Sequence, residues 1–280
     1  MTQRRPFRQV DVFADSPLAG NPVAVTLDLA GLTTDEMQRF TEWTNLSEAT
    51  FVGPPTHADA DYAVRIFCPG RELPFAGHPT LGSCHAWLEA GGVPKGEHIV
   101  QECGAGLVRI RRTGDRLAFA APPLDRSGPL SEQELDDAVR FLGIAREDVV
   151  AHSWCDNGPG WRGLLLSSAE LVLSLAPDAA TLHGMDVGVV GLHPAGAEVD
   201  VEIRTFFPGA QGGLTEDPVT GSFNAAVGQW LIAEGRLPRT YVAAQGTALG
   251  RRGRIHVERE GDDVWVGGHC ITVLDGTVAL

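Results

Sequence analysis

Apolar and polar positions alternate over many short stretches of this chain. Residues Phe7 to Phe13 alternate in this way and predict a strand, and a turn at Ser16 to Pro22 separates it from a second strand at Val23 to Leu27. Further strands are predicted at residues 51–52, 62–67, 99–101, 107–112, 117–121, 187–191, 199–206, 242–244, 253–258, 263–267 and 271–274, and residues 161–167 and 171–175 are predicted as strands or helix edges.

Longer segments carry the start and stop signals of helices. They are predicted at residues 33–44, 79–90, 131–142 and 222–234. Thr33 or Thr34 is the expected N-cap of the first helix and Ser131 that of the third, while Gly91 is the expected stop of the second. Many short strands with one main helix in each half of the chain predict an α+β fold rather than a doubly wound parallel sheet.

Two motifs occur twice, in the same order, about 140 residues apart. Each copy has the form R-x-F-x-P, then a short stretch containing glycine, then E-x-P-x-x-G. The first copy starts at Arg65 and reaches Gly77, and the second starts at Arg204 and reaches Gly221. The period is too long for a solenoid repeat, so it predicts two homologous domains packed face to face. Chance similarity between loops rich in Gly and Pro is the alternative.

The predicted boundaries follow from this repeat. Residues 1–122 form the N-terminal domain, with the last strand near residues 271–280 returning to it, and residues 129–270 form the C-terminal domain. Pro122 and Pro123 end the first half, and a polar stretch leads to the helix at 131–142.

Composition and charge narrow the class of partner. Hydrophobic residues make up 43% of the 280 positions and charged residues 21%, which is typical of a globular protein. The net charge of −14 disfavours nucleic acid and anionic membranes as partners, although it allows a small anionic substrate. The five cysteines are scattered and the nine histidines lack metal-ligand spacing, so we expect reduced thiols and no metal. With no secretory signal behind Arg4 and Arg5 and no apolar run of membrane length, a cytoplasmic protein is expected.

Each E-x-P-x-x-G turn opens onto a predicted helix. The first N–H groups of a helix lack internal partners, and the helix dipole is positive there. Gly77 lies at one start, and Gly221 and Ser222 lie at the other, so each turn is a candidate anion site. Two related halves could bring both starts to one cleft, where a substrate carboxylate would bind. Well-capped core helices are the alternative interpretation.

Ionisable residues beside these turns are candidates for acid–base work. His78 follows Gly77, and Asp217 lies within the second turn. Glu48 lies in the segment Asn45-Leu46-Ser47-Glu48, between the first helix and a strand. A partly desolvated glutamate there would have a raised pKa suited to proton transfer. Taken alone, Glu48 would be a surface loop carboxylate.

The chain resembles the PhzF-like proteins, which are named for the phenazine-biosynthesis isomerase. The segments SPLAGNPVAV, NLSEATFV, RIFCPGRELPFAGHPTLG, Asn157-Gly158-Pro159, EDPVTGS and Gln245-Gly246 carry this resemblance over nearly the whole length. It implies the diaminopimelate epimerase-like fold: two pseudo-symmetric domains, each an antiparallel, barrel-like sheet around a central helix, with the site in the cleft between them. It also implies a homodimer and chemistry without cofactor or metal.

The resemblance further implies roles for individual residues. Glu48 would move a proton between carbons of the substrate, with His78 and Asp217 assisting, while Gly77, Gly221 and Ser222 would bind its carboxylate. We count Asn21 and Asn224 as further candidate substrate-binding residues. Asn224 could instead cap its helix, and its neighbour Phe223 could narrow the cleft.

Three functions follow as hypotheses. The leading one is a cofactor-independent isomerase that shifts a proton within a small carboxylic acid, with Glu48 as acid and base. The second is an amino-acid racemase or epimerase with Glu48 and Asp217 as its two bases, since the helix starts lack the paired cysteines of two-thiol racemases. Cys68, upstream of the first turn, is interpreted as a packing residue. The third is a non-catalytic protein that binds small acids.

Overall fold

The computed structural model of the chain describes residues 3–182, 184–209 and 212–280. The predicted domain ranges also include residues 1, 2, 183, 210 and 211, which lie outside the described residues. The strands are β1 Arg4–Val12, β2 Asn21–Thr26, β3 Ala49–Gly53, β4 Tyr62–Cys68, β5 Arg71–Leu73, β6 Ile99–Cys103, β7 Gly106–Thr113, β8 Arg116–Ala120, β9 Arg126–Gly128, β10 Val149–Asp156, β11 Trp161–Leu166, β12 Val187–Leu192, β13 Val201–Pro208, β14 Leu214–Glu216, β15 Thr240–Gln245, β16 Gly253–Glu260, β17 Asp263–Gly268 and β18 Cys270–Ala279.

The helices are α1 Thr34–Thr44, α2 Gly77–Glu89, α3 Glu132–Leu142, α4 Ala169–Ser174 and α5 Gly221–Ala233, with short 3-10 turns at Arg146–Asp148, Ala179–Thr181 and Thr247–Leu249. Thr33 and Ser131 cap α1 and α3, each in a capping box with the glutamate three residues later. The α+β class predicted from the sequence is confirmed. Within the described ranges, every helix is too short or too polar to span a bilayer.

The chain divides into two compact units. Unit 1 comprises Met1–Ala120 and Gly267–Leu280, and unit 2 comprises Ala121–Val266. In unit 1, β1 pairs antiparallel with β18 and β2, β2 pairs parallel with β3, β3 pairs antiparallel with β4, and β4 pairs parallel with β6. Antiparallel β7 and β8 follow β6, and β5 folds back on β4.

Unit 2 repeats this order of pairings. Strand β10 pairs antiparallel with β9 and β11, β11 pairs parallel with β12, β12 pairs antiparallel with β13, and β13 pairs parallel with β15, which is antiparallel to β16. Strand β14 folds back on β13, as β5 does on β4. The duplication seen in the motifs therefore extends to the topology of each unit.

The expected antiparallel sheets are in fact mixed. Parallel neighbours need a crossover connection, and a helix supplies it at each parallel pairing. Helix α1 lies between β2 and β3, and α2 lies between β4 and β6. In unit 2, α4 and α5 occupy the corresponding connections.

Helices α2 and α5 are the central helices of their units. All residues from Gly77 to Cys84 in α2 are buried, as are all from Phe223 to Gly228 in α5. A helix buried on every side must be surrounded by other elements, and α2 contacts β1, β2, β3, β8 and β18. A Cβ atom at Gly82 would overlap the side chain of Val23, so glycine lets α2 lie close against β2.

The remaining long helices cover the outside of the sheets. In unit 1, Met37 and Phe40 of α1 pack with Phe51 and Phe67. In unit 2, Phe141 of α3 packs edge-on against Phe206 in the core cluster beneath α3 and α4. These amphipathic helices bury one face each, whereas α2 and α5 are buried on all sides over most of their length.

Candidate functional site

Glu48 lies at the start of β3, where the chain leaves α1. Asn45, in the left-handed conformation at φ 55°, ends α1 and turns the chain toward the strand. The backbone carbonyl of Glu48 accepts a hydrogen bond from Ala24 of β2. Its side chain is 16% exposed, so the carboxylate is largely withdrawn from solvent but still reachable.

His78 meets this carboxylate from the start of α2. Nε2 of His78 lies 3.2 Å from Oε2 of Glu48, and the His78 side chain is only 5% exposed. On the other side of the ring, Nδ2 of Asn21 lies 3.3 Å from Nδ1 of His78. The hydroxyl of Ser47 is 3.5 Å from Oδ1 of Asn21. Three segments distant in sequence therefore converge at the N-terminus of α2.

Burial keeps the His78 ring neutral. Removing the imidazole from water penalises its charged form and lowers the pKa of His78 from 6.5 to about 3. A neutral ring is not an ion-pair partner of a carboxylate. The 3.2 Å contact between Nε2 and Oε2 also lacks hydrogen-bond geometry, so the resting structure places the His78 ring against Glu48 without a hydrogen bond between these two atoms.

The first turn of α2 presents backbone donors beside this pair. Ala76 provides no side-chain cap, Pro79 has no N–H, and the N–H of Thr80 is bonded to Ala76. The amides of Gly77 and His78 are therefore the groups of this helix start available to an acceptor. Gly77, His78 and Glu48, predicted separately from the sequence, lie together in unit 1.

In unit 2, Asp217 is held by a chain of hydroxyl groups. The Thr220 hydroxyl donates to Oδ2 of Asp217 at 2.6 Å, and the hydroxyls of Thr205 and Thr220 are 2.6 Å apart. Because the one proton of Thr220 goes to Asp217, Thr205 must donate to Thr220. The backbone N–H of Asp217 donates to the Thr205 carbonyl. The carboxylate therefore has a fixed orientation.

Gln245 ties this chain to the start of α5. Its Oε1 accepts from the backbone N–H of Thr220 and from Nδ2 of Asn224, and its Nε2 contacts both threonine hydroxyls. Asn224 also donates to the Thr220 carbonyl and is fully buried. These contacts link Asn224 to the first turn of α5 and to Gln245, but the side chain donates in both and caps no helix N–H.

Ser222 and Gly221 lie at the first turn of α5. Trp161 donates its indole N–H to the Ser222 hydroxyl at 3.0 Å, and Asn157 donates to the Ser222 carbonyl at 2.9 Å. The Asn157-Gly158-Pro159 motif thus holds the helix start. This motif and Gln245-Gly246 carry no predicted role, Thr220 is predicted only to lie at the helix start, and Thr205 is not a predicted site residue.

The two units differ at the positions of the candidate acid–base residues. The strand pairings align the two units residue by residue. Asn21 begins β2 in unit 1, and Trp161 begins the equivalent strand β11 in unit 2. The fourth residues of these strands, Ala24 and Leu164, pair with Ala49 and Val189. By this register, Gly188 occupies in unit 2 the position of Glu48, and Ser222 that of His78. The position equivalent to Asp217 in unit 1 is Leu73. The carboxylates of Glu48 and Asp217 are therefore not symmetry-related bases.

Phe223 corrects one expectation. It does not narrow a substrate site, because it is fully buried and packs against Trp161 and over Gly188, where a Cβ atom would overlap its ring. Trp154 is also buried, whereas Trp43 is exposed on α1.

Cys68 is half-buried, and burial raises the pKa of its thiol, which matches a packing role better than a reactive one. Among the described residues, no three metal-ligating side chains cluster.

Comparison with known proteins gives the family. A family model described as phenazine biosynthesis-like protein matches residues 10–276. The chain belongs to this family. The Antisense-enhancing sequence 1 protein of Schizosaccharomyces pombe is 36% identical over 291 aligned residues, which cover 96% of this chain and 97% of that protein. The trans-2,3-dihydro-3-hydroxyanthranilate isomerase of Pseudomonas fluorescens is 31% identical over 283 aligned residues, which cover 97% and 98% of the two chains.

A solved structure agrees with this membership. The PhzF-family phenazine biosynthesis protein of Enterococcus faecalis superposes with a TM-score of 0.79 at 26% identity, covering 99% of this chain and all of that one. The resemblance drawn from the sequence is confirmed, and the chain is an isomerase of this family.

Proposed function

We propose that the protein shifts a proton within a small carboxylic acid, without a cofactor, and that Glu48 is the acid and base. The observation that carries this proposal is the Glu48 carboxylate 3.2 Å from the neutral ring of His78, at a helix start without a side-chain cap. The amides of Gly77 and His78 are the proposed donors to the carboxylate of the substrate.

The chemistry needs no group beyond those on the chain. Glu48 takes a proton from a carbon of the substrate, and the electrons of the broken C–H bond move into the conjugated system. The protonated Glu48 then returns the proton to a second carbon, which restores both enzyme and charge. With a hydrogen on Nε2, the dipole of the His78 ring favours the carboxylate form of Glu48 at the beginning and end of each cycle.

The substrate proposed first is trans-2,3-dihydro-3-hydroxyanthranilate, because relatives more than 30% identical are named as its isomerases. The proposed test offers this compound, a panel of cyclic amino acids and L-amino acids to the protein in D2O. Deuterium incorporation into a turned-over acid is expected. Deuterium-labelled D-products from L-amino acids would instead indicate a racemase, and ligand-induced thermal stabilisation without exchange would indicate a binding protein.

Variants assign the role of Glu48. Glu48→Gln removes the titratable group and is expected to lower turnover by a factor on the order of 10³ or more. Glu42→Gln, on the exposed part of α1, is the matched control and should retain full turnover. Asp217→Asn tests the predicted assisting role of Asp217. Full activity of Glu48→Gln would overturn the proposal.

A further inference from the structure

The proton on the His78 ring can be located from its two neighbours. Nε2 lies 3.2 Å from Oε2 of Glu48 without hydrogen-bond geometry. A lone pair on Nε2 would face the negative oxygen and be repelled by it, so this contact favours a hydrogen on Nε2. The buried ring is neutral and holds a single N–H. Nδ1 therefore carries a lone pair and needs a donor.

Asn21 supplies that donor. Its Nδ2 lies 3.3 Å from Nδ1 of His78, and its Oδ1 is turned toward the Ser47 hydroxyl. If the Asn21 amide were flipped, its Oδ1 would face the lone pair on Nδ1 of His78, and the hydrogen bond between Asn21 and His78 would be lost. Asn21 is 1% exposed, so the amide is buried against the ring rather than presented to a ligand. This placement differs from the substrate-binding role predicted for Asn21.

The loop before Asn21 has a strained backbone, and this conformation fixes the position of Asn21. Phe13 and Leu18 have φ angles of 61° and 70°, a left-handed conformation that is unfavourable for residues with a side chain. A Cβ atom at Gly20 would overlap the carbonyl of Val12, and the Gly20 N–H donates to the buried carboxylate of Asp11. Such a conformation persists only where its surroundings hold it firmly, and here it sets the first residue of β2.

We infer that Asn21 is a positioning residue that selects the Nε2–H tautomer of His78, so that the N–H of the ring faces the Glu48 carboxylate. The inference rests on the proposed function for its catalytic meaning, because the tautomer matters only if Glu48 moves the proton. The tautomer itself is a property of the resting protein. It can be measured whether or not the proposed substrate is turned over.

The test is long-range proton–nitrogen NMR of the full chain with ¹⁵N-labelled histidine at pH 7. The signals of His78 are those absent from the spectrum of His78→Gln. In the wild type we expect protonated Nε2 and a lone pair on Nδ1. In Asn21→Asp, the new carboxylate accepts at Nδ1, so a proton should appear there. A wild-type spectrum with Nδ1–H, or an unchanged ring in a folded Asn21→Asp, would overturn the inference.

Controls separate this role from general destabilisation. Asn45→Asp adds the same charge at an exposed site of the same unit and should leave the His78 signals unchanged. If Asn21→Asp does not fold, Asn21→Ala takes its place: loss of the donor to Nδ1 should lower the population of the Nε2–H tautomer, and an unchanged population would overturn the inference. Once a substrate is in hand, Asn21→Ala should lower kcat by about tenfold to a hundredfold in the wild type but cause no further loss in His78→Gln.

Discussion

Arg204 donates two hydrogen bonds of 2.8 Å to the two carboxylate oxygens of Glu216 in unit 2. These are the first charged residues of the second R-x-F-x-P and E-x-P-x-x-G motifs. Arg65 and Glu72 make the corresponding bidentate pair in unit 1. The repeated motifs are thus linked by an ion pair that holds each turn before its central helix. Only the second pair is buried, with side-chain exposures of 7% and 12%.

This difference in burial predicts a difference in stability. Arg204 also donates to the carbonyls of Val172 and Leu175 at the end of α4, so Arg204→Ala removes the partner of a largely buried carboxylate and one hydrogen bond from each of two carbonyls. We expect it to lower the free energy of unfolding by about 3–5 kcal/mol. The matched change Arg65→Ala, where the arginine is 33% exposed, should cost at most about 1 kcal/mol. Urea unfolding followed by circular dichroism compares the two, and equal losses would contradict the argument.

The duplication and most elements could be predicted from the sequence because motif order and hydrophobic alternation are local signals. Strand β10 was not predicted, since His152, Ser153 and Asp156 interrupt its apolar pattern. This segment becomes a strand because it pairs with β9 and β11, and those tertiary pairings are not visible in its own sequence. The parallel pairings were also missed, because a strand does not encode the direction of its neighbour.

The site was predictable where a residue's chemistry is visible in its type. Glu48, His78 and Asp217 are ionisable residues in conspicuous motifs. Asn21 and Gln245 instead depend on the orientation of a buried side-chain amide, and residue spacing in the sequence does not predict that orientation. Their partners lie 57 and 25 residues away in the chain, so only the folded units show these contacts.

The neutral state of His78 predicts a pH dependence of stability. Its pKa falls from 6.5 in the unfolded chain to about 3 in the folded protein, so between these values the unfolded chain binds a proton that the folded protein does not. His78 therefore causes stability to fall as pH drops through this window, by roughly 1 kcal/mol per pH unit. Urea unfolding from pH 6.5 to pH 4 should show this slope in the wild type and a shallower one in His78→Gln. Parallel slopes in the two proteins would show that His78 titrates normally.

The hydroxyl chain that ends at Asp217 predicts that Thr220 tolerates serine but not valine. Thr220→Val has a similar shape but leaves Asp217, Thr205 and Gln245 without their shared partner. Leaving buried polar groups unsatisfied should cost about 1–3 kcal/mol of unfolding free energy. Thr220→Ser keeps the hydroxyl and should cost less than about 1 kcal/mol. Thermal unfolding of both variants checks this, and a valine variant as stable as the serine variant would contradict the chain of hydroxyls.

Gly188 and Phe223 predict a compensating pair of substitutions. A Cβ atom at Gly188 would overlap the ring of Phe223, which is fully buried. Gly188→Ala should therefore cost about 1–3 kcal/mol of unfolding free energy through overpacking. Adding Phe223→Leu should recover part of that loss, although Phe223→Leu alone destabilises by opening space in the core. Gly276→Ala is the matched control, because a Cβ atom there meets no neighbour within 4 Å. If the two losses simply add in the double variant, the Phe223 ring does not limit the space at Gly188, the unit 2 counterpart of Glu48.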